Sequence, residues 1–349
     1  MAMGIKNISL KGLWHAYDIE WKINERVTIL SGINGSGKST ILRIVGTLLK
    51  GEFLPDFMVN KVSEVVIELD DDLKIESKIY HESLRSLKKK AEKDDDVAVL
   101  VERLEKEPDN NLNQLNRRFE AQSVQFMKGK HKISKEEFRE RVSSDFISTF
   151  DHAPKKPEDS SKMLEYIIKA QYSELDRHLD NVISRYKSYL IELSNNVTNL
   201  VASDPDNISS VREILRSRNT LQDIIDDFFS QTKKRVNREK GELEFIFDKD
   251  EMSHPCSDLS AGEKQLILIL LTVFMQGGKP SILIMDEPEI SLHVDWQRKL
   301  IEKILELNPK CQIIVSTHSP SMILNGWHEA VVNVSSLSGN FKKYVNIAD

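Results

Sequence analysis

The run SGINGSGKST, residues 31–40, sets Gly32, Gly37, Lys38 and Ser39 in the spacing GxxxxGK(S/T). Glycines at this spacing let backbone N–H groups curl around phosphate oxygens, and Asn34, Gly35, Ser36 and Thr40 complete the cradle. Lys38 brings a mobile positive charge to the outer phosphates, and the Ser39 hydroxyl is a hard oxygen ligand suited to magnesium. A second group of chemical residues ends the run SILIMDEPE, where Asp286 and Glu287 follow four apolar residues. Asp286 is expected to hold the metal, directly or through water, and Glu287 to orient or deprotonate an attacking water. The pair alone reads equally as an acidic turn capping a strand. A third stretch, LSAGEKQ, reads locally as a helix start: Ser260 caps, Glu263 lies three residues on, and an apolar run follows.

Elements must hold these groups in place. VTIL before the phosphate loop reads as a buried strand and ILRIVGTLL after it as a helix, so the helix's positive end faces the loop. The four apolar residues before Asp286 make another buried strand, with the acids at its carboxyl end, where ligands gather in parallel α/β sheets. LILILLTVFM, residues 266–275, is too short to span a bilayer and suits a buried helix.

The texture divides the chain into three zones: 1–80 with strand-like runs and the phosphate loop, 81–240 charged and helical, and 241–349 where the α/β texture returns. In the middle zone Leu175, Leu179, Val182, Tyr186, Tyr189 and Leu193 recur at three- and four-residue steps. Val211, Leu215, Leu221, Ile225 and Phe228 repeat the pattern. The expectation is a lobe of short helices broken at APKKPEDSS and SDPDN, with a short strand at SSDFISTF.

At 349 residues, 40% hydrophobic and 30% charged, the chain can bury a large core. The start MAMGIKNISLKG lacks a secretory pattern, so a cytoplasmic location without membrane contact is expected. Cys256 and Cys311 have no CxxC spacing and read as reduced thiols. A net charge of −6 excludes a wholly basic nucleic-acid binder but not a local basic groove. LKKK (87–90), Arg117 with Arg118, KGKHK (128–132) and KKRVNREK (233–240) are the candidate phosphate contacts, diluted by acidic runs.

The order phosphate loop, LSAGE, strand plus DEP, then STHSP resembles ABC-type ATPases, over roughly the two terminal zones. The text DEPE, SLH, WQ, THSP is similar to the soluble OLD/RecF-like group, which includes bacterial anti-phage ATPases, and departs from transporter ATPases and SMC proteins. This resemblance implies a P-loop NTPase core of ABC-ATPase type, split by a mostly α-helical insertion, that binds and hydrolyses ATP with Mg2+. It implies a head-to-tail homodimer, in which Ser260 and Gly262 meet the γ-phosphate of ATP on the other copy. It implies that His318 is a switch histidine on the γ-phosphate and that Lys38 and Glu287 share the catalytic work. His293 stands where the family's D-loop aspartate falls, so that aspartate's role is not carried over. None of Gln114, Gln122 and Gln125 stands in a clear Q-loop, and Trp14, Tyr17 and Trp21 are near the adenine-stacking region but read more readily as core. The 31 residues from Ser319 to Asp349 hold no acidic cluster of a Toprim nuclease, so any nuclease effector is expected on a separate polypeptide, with DNA or RNA as a further possible partner. The same features leave open a nucleotide-gated scaffold with slow turnover.

Overall fold

The computed structural model describes residues 3–91, 97–99, 101–102, 118–148, 173–204, 208–248 and 252–338. APKKPEDSS, Gln114 and Arg117 lie outside the described residues. In chain order the first part runs β1 (Ile5–Leu13), β2 (Tyr17–Lys22), β3 (Val27–Ser31), α1 (Lys38–Leu49), α2 (Asp56–Val59), β4 (Glu64–Leu69), β5 (Leu73–Ser83) and α3 (Leu84–Ala91). It continues with β6 (Arg118–Lys128), β7 (His131–Ile133), α4 (Lys135–Arg141) and β8 (Ser144–Ser148). Next come α5 (Glu174–Ser203), α6 (Ile208–Phe229), β9 (Lys234–Val236), β10 (Glu244–Phe247) and β11 (Ser253–Pro255). The last part is α7 (Ala261–Phe274), β12 (Ser281–Asp286), α8 (Val294–Leu307), β13 (Cys311–Ser316), α9 (Pro320–Ile323) and β14 (Val331–Asn333).

The fold is α/β. A five-stranded sheet has the order β14-β3-β13-β12-β8, and β14 runs parallel to β3 with Val331 opposite Ile29. Strands β12 and β13 are buried at every position, which is why each centres on an apolar run, Ile282–Met285 and Ile313–Val315. By compactness the chain divides into one unit of residues 1–146, 280–284 and 330–349, and another of 147–279 and 285–329.

The first unit also carries a six-stranded antiparallel sheet, β2-β1-β4-β5-β6-β7. Its alternating positions bury Ile8, Leu10, Ile19, Trp21, Val65, Ile67 and Ile75. Trp21 is therefore core, as its place on an early strand suggested. The sheet corrects one expectation: residues 118–133, read as helical, form β6 and β7, and β6 pairs with β5 along its whole length. An available partner strand overrides the local preference of this segment, since strand formation depends on neighbours more than on the residues alone. Gln122, buried in β6, accepts from the Leu54 N–H at 2.8 Å and donates to Ser77 Oγ at 2.8 Å, so it ties this sheet together.

In the second unit the periodic segments are helices, but not short ones: α5 spans 30 residues and α6 spans 22. The polar residues within α5 continue the helix by bonding back to it, Ser184 to the Asp180 carbonyl and Thr198 to that of Ser194. Leu179, Val182, Tyr186 and Leu193 are buried along one side. α7 is buried nearly all round, and its Phe274 meets Tyr186 and Tyr189 of α5 edge-on at 5.7 and 5.1 Å. Phe228 and Phe229 of α6 pack on Trp296 of α8. The strand expected at SSDFISTF is β8. Both cysteines are free and buried, and burial pushes the Cys256 thiol up to about 12, which keeps it protonated and unreactive. No helix among the described residues is long and apolar enough to cross a membrane.

Candidate functional site: a phosphate loop and a buried acidic turn

The phosphate loop belongs to the first unit and joins β3 to α1. β3 is apolar and buried, so its end is fixed; Gly37 then caps α1 in the left-handed region at φ 94°, a conformation that favours glycine. Gly35 also takes φ 80°, and a methyl group there would meet open space. Ser36 is buried within the loop, and its Oγ has no hydrogen-bond partner among the described residues. Lys38 begins α1, is 4% exposed, and its ammonium donates to the Gly32 and Ile33 carbonyls at 3.1 and 3.4 Å. Ser39 and Thr40 follow in the first helical turn. A buried lysine, an unpartnered hydroxyl and a helix start converge on one loop, and this donor set suits phosphate oxygens. Of the three aromatic candidates, Trp14 lies against this loop: a Cβ at Gly37 would fall 1.8 Å from its ring. Trp14 stands at φ 51° and meets Tyr17 edge-on at 6.1 Å.

The acidic turn belongs to the second unit. Asp286 closes β12 fully buried and accepts from Ser316 Oγ at 2.7 Å. Glu287 follows in the left-handed region at φ 50°, held there by bonds from its N–H to the Ser316 carbonyl and hydroxyl at 3.0 and 3.2 Å. That conformation costs a non-glycine residue roughly 1 kcal/mol. Glu287 Oε2 accepts from the His318 N–H at 3.2 Å, and its other oxygen lies 3.4 Å from His318 Nε2. The imidazole is itself 42% exposed, so one face of the pair is accessible. Thus the consecutive Asp286 and Glu287 and the distant His318, 31 positions beyond Glu287, form one cluster. The Asp286 carboxylate in this unit, like the Ser39 hydroxyl in the other, is a hard oxygen donor of the kind that suits Mg2+.

Ser260 and Gly262 stand in the same unit at the start of α7. Ser260 caps the helix and closes a capping box: its Oγ accepts from the Glu263 N–H, and Glu263 Oε2 accepts from the Ser260 N–H at 2.8 Å. Gly262 has a reason of its own to be glycine, because a Cβ there would come within 2.1 Å of the Ser291 carbonyl oxygen. Gly262→Ala is expected to cost about 1–3 kcal/mol of stability by overpacking, read as a lowered urea midpoint at unchanged slope. Ser291 itself is at φ 73°, and the next turn ends at His293, which is 60% exposed and caps α8.

The capping glutamate is anchored further. Lys234 of β9 reaches Glu263 at 2.9 Å while lying over the Phe247 ring at 4.4 Å, and Lys264 reaches Asp176 of α5 at 2.9 Å. Burial pushes the Glu263 carboxyl up, but the hydrogen bonds from Lys234 and Ser260 outweigh it and hold it below its ordinary range. A group depressed in this way adds stability that is full above its unfolded pKa, about 4.3, and is lost as pH falls through its lower folded value. Glu263→Gln is therefore expected to flatten the loss of stability below about pH 4, seen as a smaller drop in urea midpoint on acidification. Lys234 and Arg238, two of the cations in the basic run 233–240, are thus occupied internally; Arg238 pairs with Asp223 and Asp226, each at 2.7 Å.

A strand–loop–helix phosphate cradle, a buried acid pair at a strand end and a capped signature helix define the α/β ATPase core of the ABC type with a helical insertion. The sequence pattern of the AAA ATPase domain family matches residues 3–323, and the chain belongs to that family. The Retron Vc95 probable ATPase of Vibrio cholerae serotype O1 biovar El Tor is 23% identical over 398 residues, covering 97% of this chain and 74% of that protein. The Retron Ec83 probable ATPase of Escherichia coli is 25% identical over 175 residues, which is 44% of this chain and 32% of its own length. In fold, the chain is similar to the Smc head domain with an extended coiled coil bound to the C-terminal domain of ScpA, derived from Pyrococcus furiosus, with a TM-score of 0.50, 14% identity, and 93% and 92% of the two chains covered.

Proposed function

We propose that this chain binds ATP with Mg2+ and hydrolyses it, and that two copies associate head to tail around the nucleotide. The observation that carries this reading is the acidic turn, where Glu287 is set at a costly backbone angle against the His318 amide and imidazole. A structural cap needs no such arrangement. In this reading the loop glycines, Asn34, Ser36 and Lys38 hold the phosphates, and Ser39 with Asp286 holds the metal. A Mg2+ ion held there would supply neutralisation of phosphate charge for transfer of the terminal phosphoryl group to water, with ADP departing. Glu287 orients the attacking water and takes its proton, and His318 donates from its exposed imidazole to the γ-phosphate. Ser260 and Gly262, by family resemblance, meet the γ-phosphate held by the other copy.

The output is proposed to be the gating of a separately encoded effector, such as a nuclease, in phage defence or DNA maintenance; the similarity to retron ATPases supports that direction. Direct nucleic-acid contact has less support, since Lys234 and Arg238 are committed to acids within the chain. The deciding experiment is phosphate release together with sedimentation in the absence and presence of ATP. Turnover with ATP-dependent association supports the reading; a monomer at saturating ATP with no phosphate release sinks it.

A further inference from the structure

Glu289 stands two residues beyond the acid pair and has no role in the hydrolysis scheme above. We propose that Glu289 is a positioning residue that holds the turn Thr317–Ser319 and thereby aims His318, leaving Glu287 free to serve the water; this rests on the hydrolysis reading. Glu289 is 9% exposed. One of its oxygens, Oε1, accepts from the His318 N–H at 2.8 Å, from the Ser319 N–H at 3.2 Å and from the Thr317 hydroxyl. The turn is secured from its other side by Gln297 of α8, whose carbonyl accepts from Ser319 Oγ at 2.6 Å while its amide donates to the Leu292 carbonyl at 2.9 Å.

The His318 amide is shared between two carboxylates, at 2.8 Å from Glu289 and 3.2 Å from Glu287. A general base must turn its oxygens to water, so it cannot also be the fixed anchor of the histidine's backbone. Glu289 has the shorter contact and two further donors converging on the same oxygen. Its second oxygen, Oε2, is buried without a hydrogen-bond partner among the described residues. The role is one of an acceptor acting through His318, not of a second base.

Steady-state turnover and ATP binding of E289A and E289Q, each in the unaltered chain and in H318A, test this. E289A is expected to lower kcat about 100-fold, as small misplacements of reacting groups do, with ATP affinity changed less than about threefold. E289Q keeps an oxygen acceptor and should stay within about fivefold of the unaltered kcat. In the H318A background E289A should add less than about a twofold loss, since both changes act on one group. Unaltered kcat in E289A, an E289Q as inactive as E289A, or a full additional loss in H318A each overturns the assignment. Should E289A not fold, Gln297→Ala loosens the same turn from the Ser319 side: it must lower kcat and spare ATP binding, and an unaltered kcat overturns the proposal. Absence of turnover in the unaltered chain is a different result, which fails the hydrolysis reading before any substitution is made.

Discussion

Glu287→Gln is expected to lower ATP turnover by about 100-fold to 10,000-fold, the range over which positioned acid–base groups contribute, while ATP binding persists. The substitution keeps the shape of a side chain that is 8% exposed and keeps an oxygen to accept from the His318 N–H. It removes the basicity that the water needs. Because glutamine is accommodated where glutamate stood, the folded state and the left-handed backbone at φ 50° should survive, so a fall in rate is attributable to chemistry. Phosphate release read beside the ATP dissociation constant separates the two. The variant should also accumulate the ATP-bound pair, visible by sedimentation as a dimer that outlasts the one formed by the unaltered chain. An unaltered rate would remove Glu287 from the mechanism.

Lys38→Ala is expected to act at the step before, weakening ATP binding by at least about tenfold, since a charge-assisted hydrogen bond is worth roughly 1.5–3 kcal/mol. Lys38 is almost fully buried, and its ammonium is held by the Gly32 and Ile33 carbonyls. Truncation therefore removes both the positive charge that meets the phosphates and the donor that braces the loop. A modest loss of stability should accompany the lost affinity, in contrast with Glu287→Gln, for which stability and binding are retained. Titration with a fluorescent ATP analogue reads the affinity, and binding equal to that of the unaltered chain would contradict the role of the loop.

The phosphate loop is legible in residues 31–40 because its chemistry is local: the glycine spacing, the lysine and the helix start are consecutive. The capping box at Ser260 is legible for the same reason, both partners lying within one helical turn. The buried strands that end at Ser31 and at Asp286 can be read from mainly apolar runs. Residues 118–133 read as helical in isolation because whether a polar segment becomes a strand depends on its neighbour, and β5 lies outside any local window. α5 and α6 exceed the short helices expected: the apolar periodicity read in the first stops at Leu193, yet α5 continues to Ser203 through exposed polar residues, with Thr198 bonding back to the Ser194 carbonyl.

The sequence by itself singled out which groups could carry chemistry: a lysine and hydroxyls suited to phosphate and metal, a carboxylate pair suited to metal and water and, only through family resemblance, a histidine proposed for the terminal phosphate. Only the tertiary structure decided how those groups are held. Glu289 resembles a repeat of the acid before it in sequence, but in the fold its carboxylate accepts from Thr317, His318 and Ser319. Gly262 reads as an anion-binding residue, and the fold adds that the Ser291 carbonyl leaves no room for a side chain. Lys264 and Asp176 are 88 positions apart and meet at 2.9 Å. The physical reason is the same in each case: residue type and spacing fix a group's charge, donors and acceptors, whereas its partner is chosen by packing between segments that no local pattern connects.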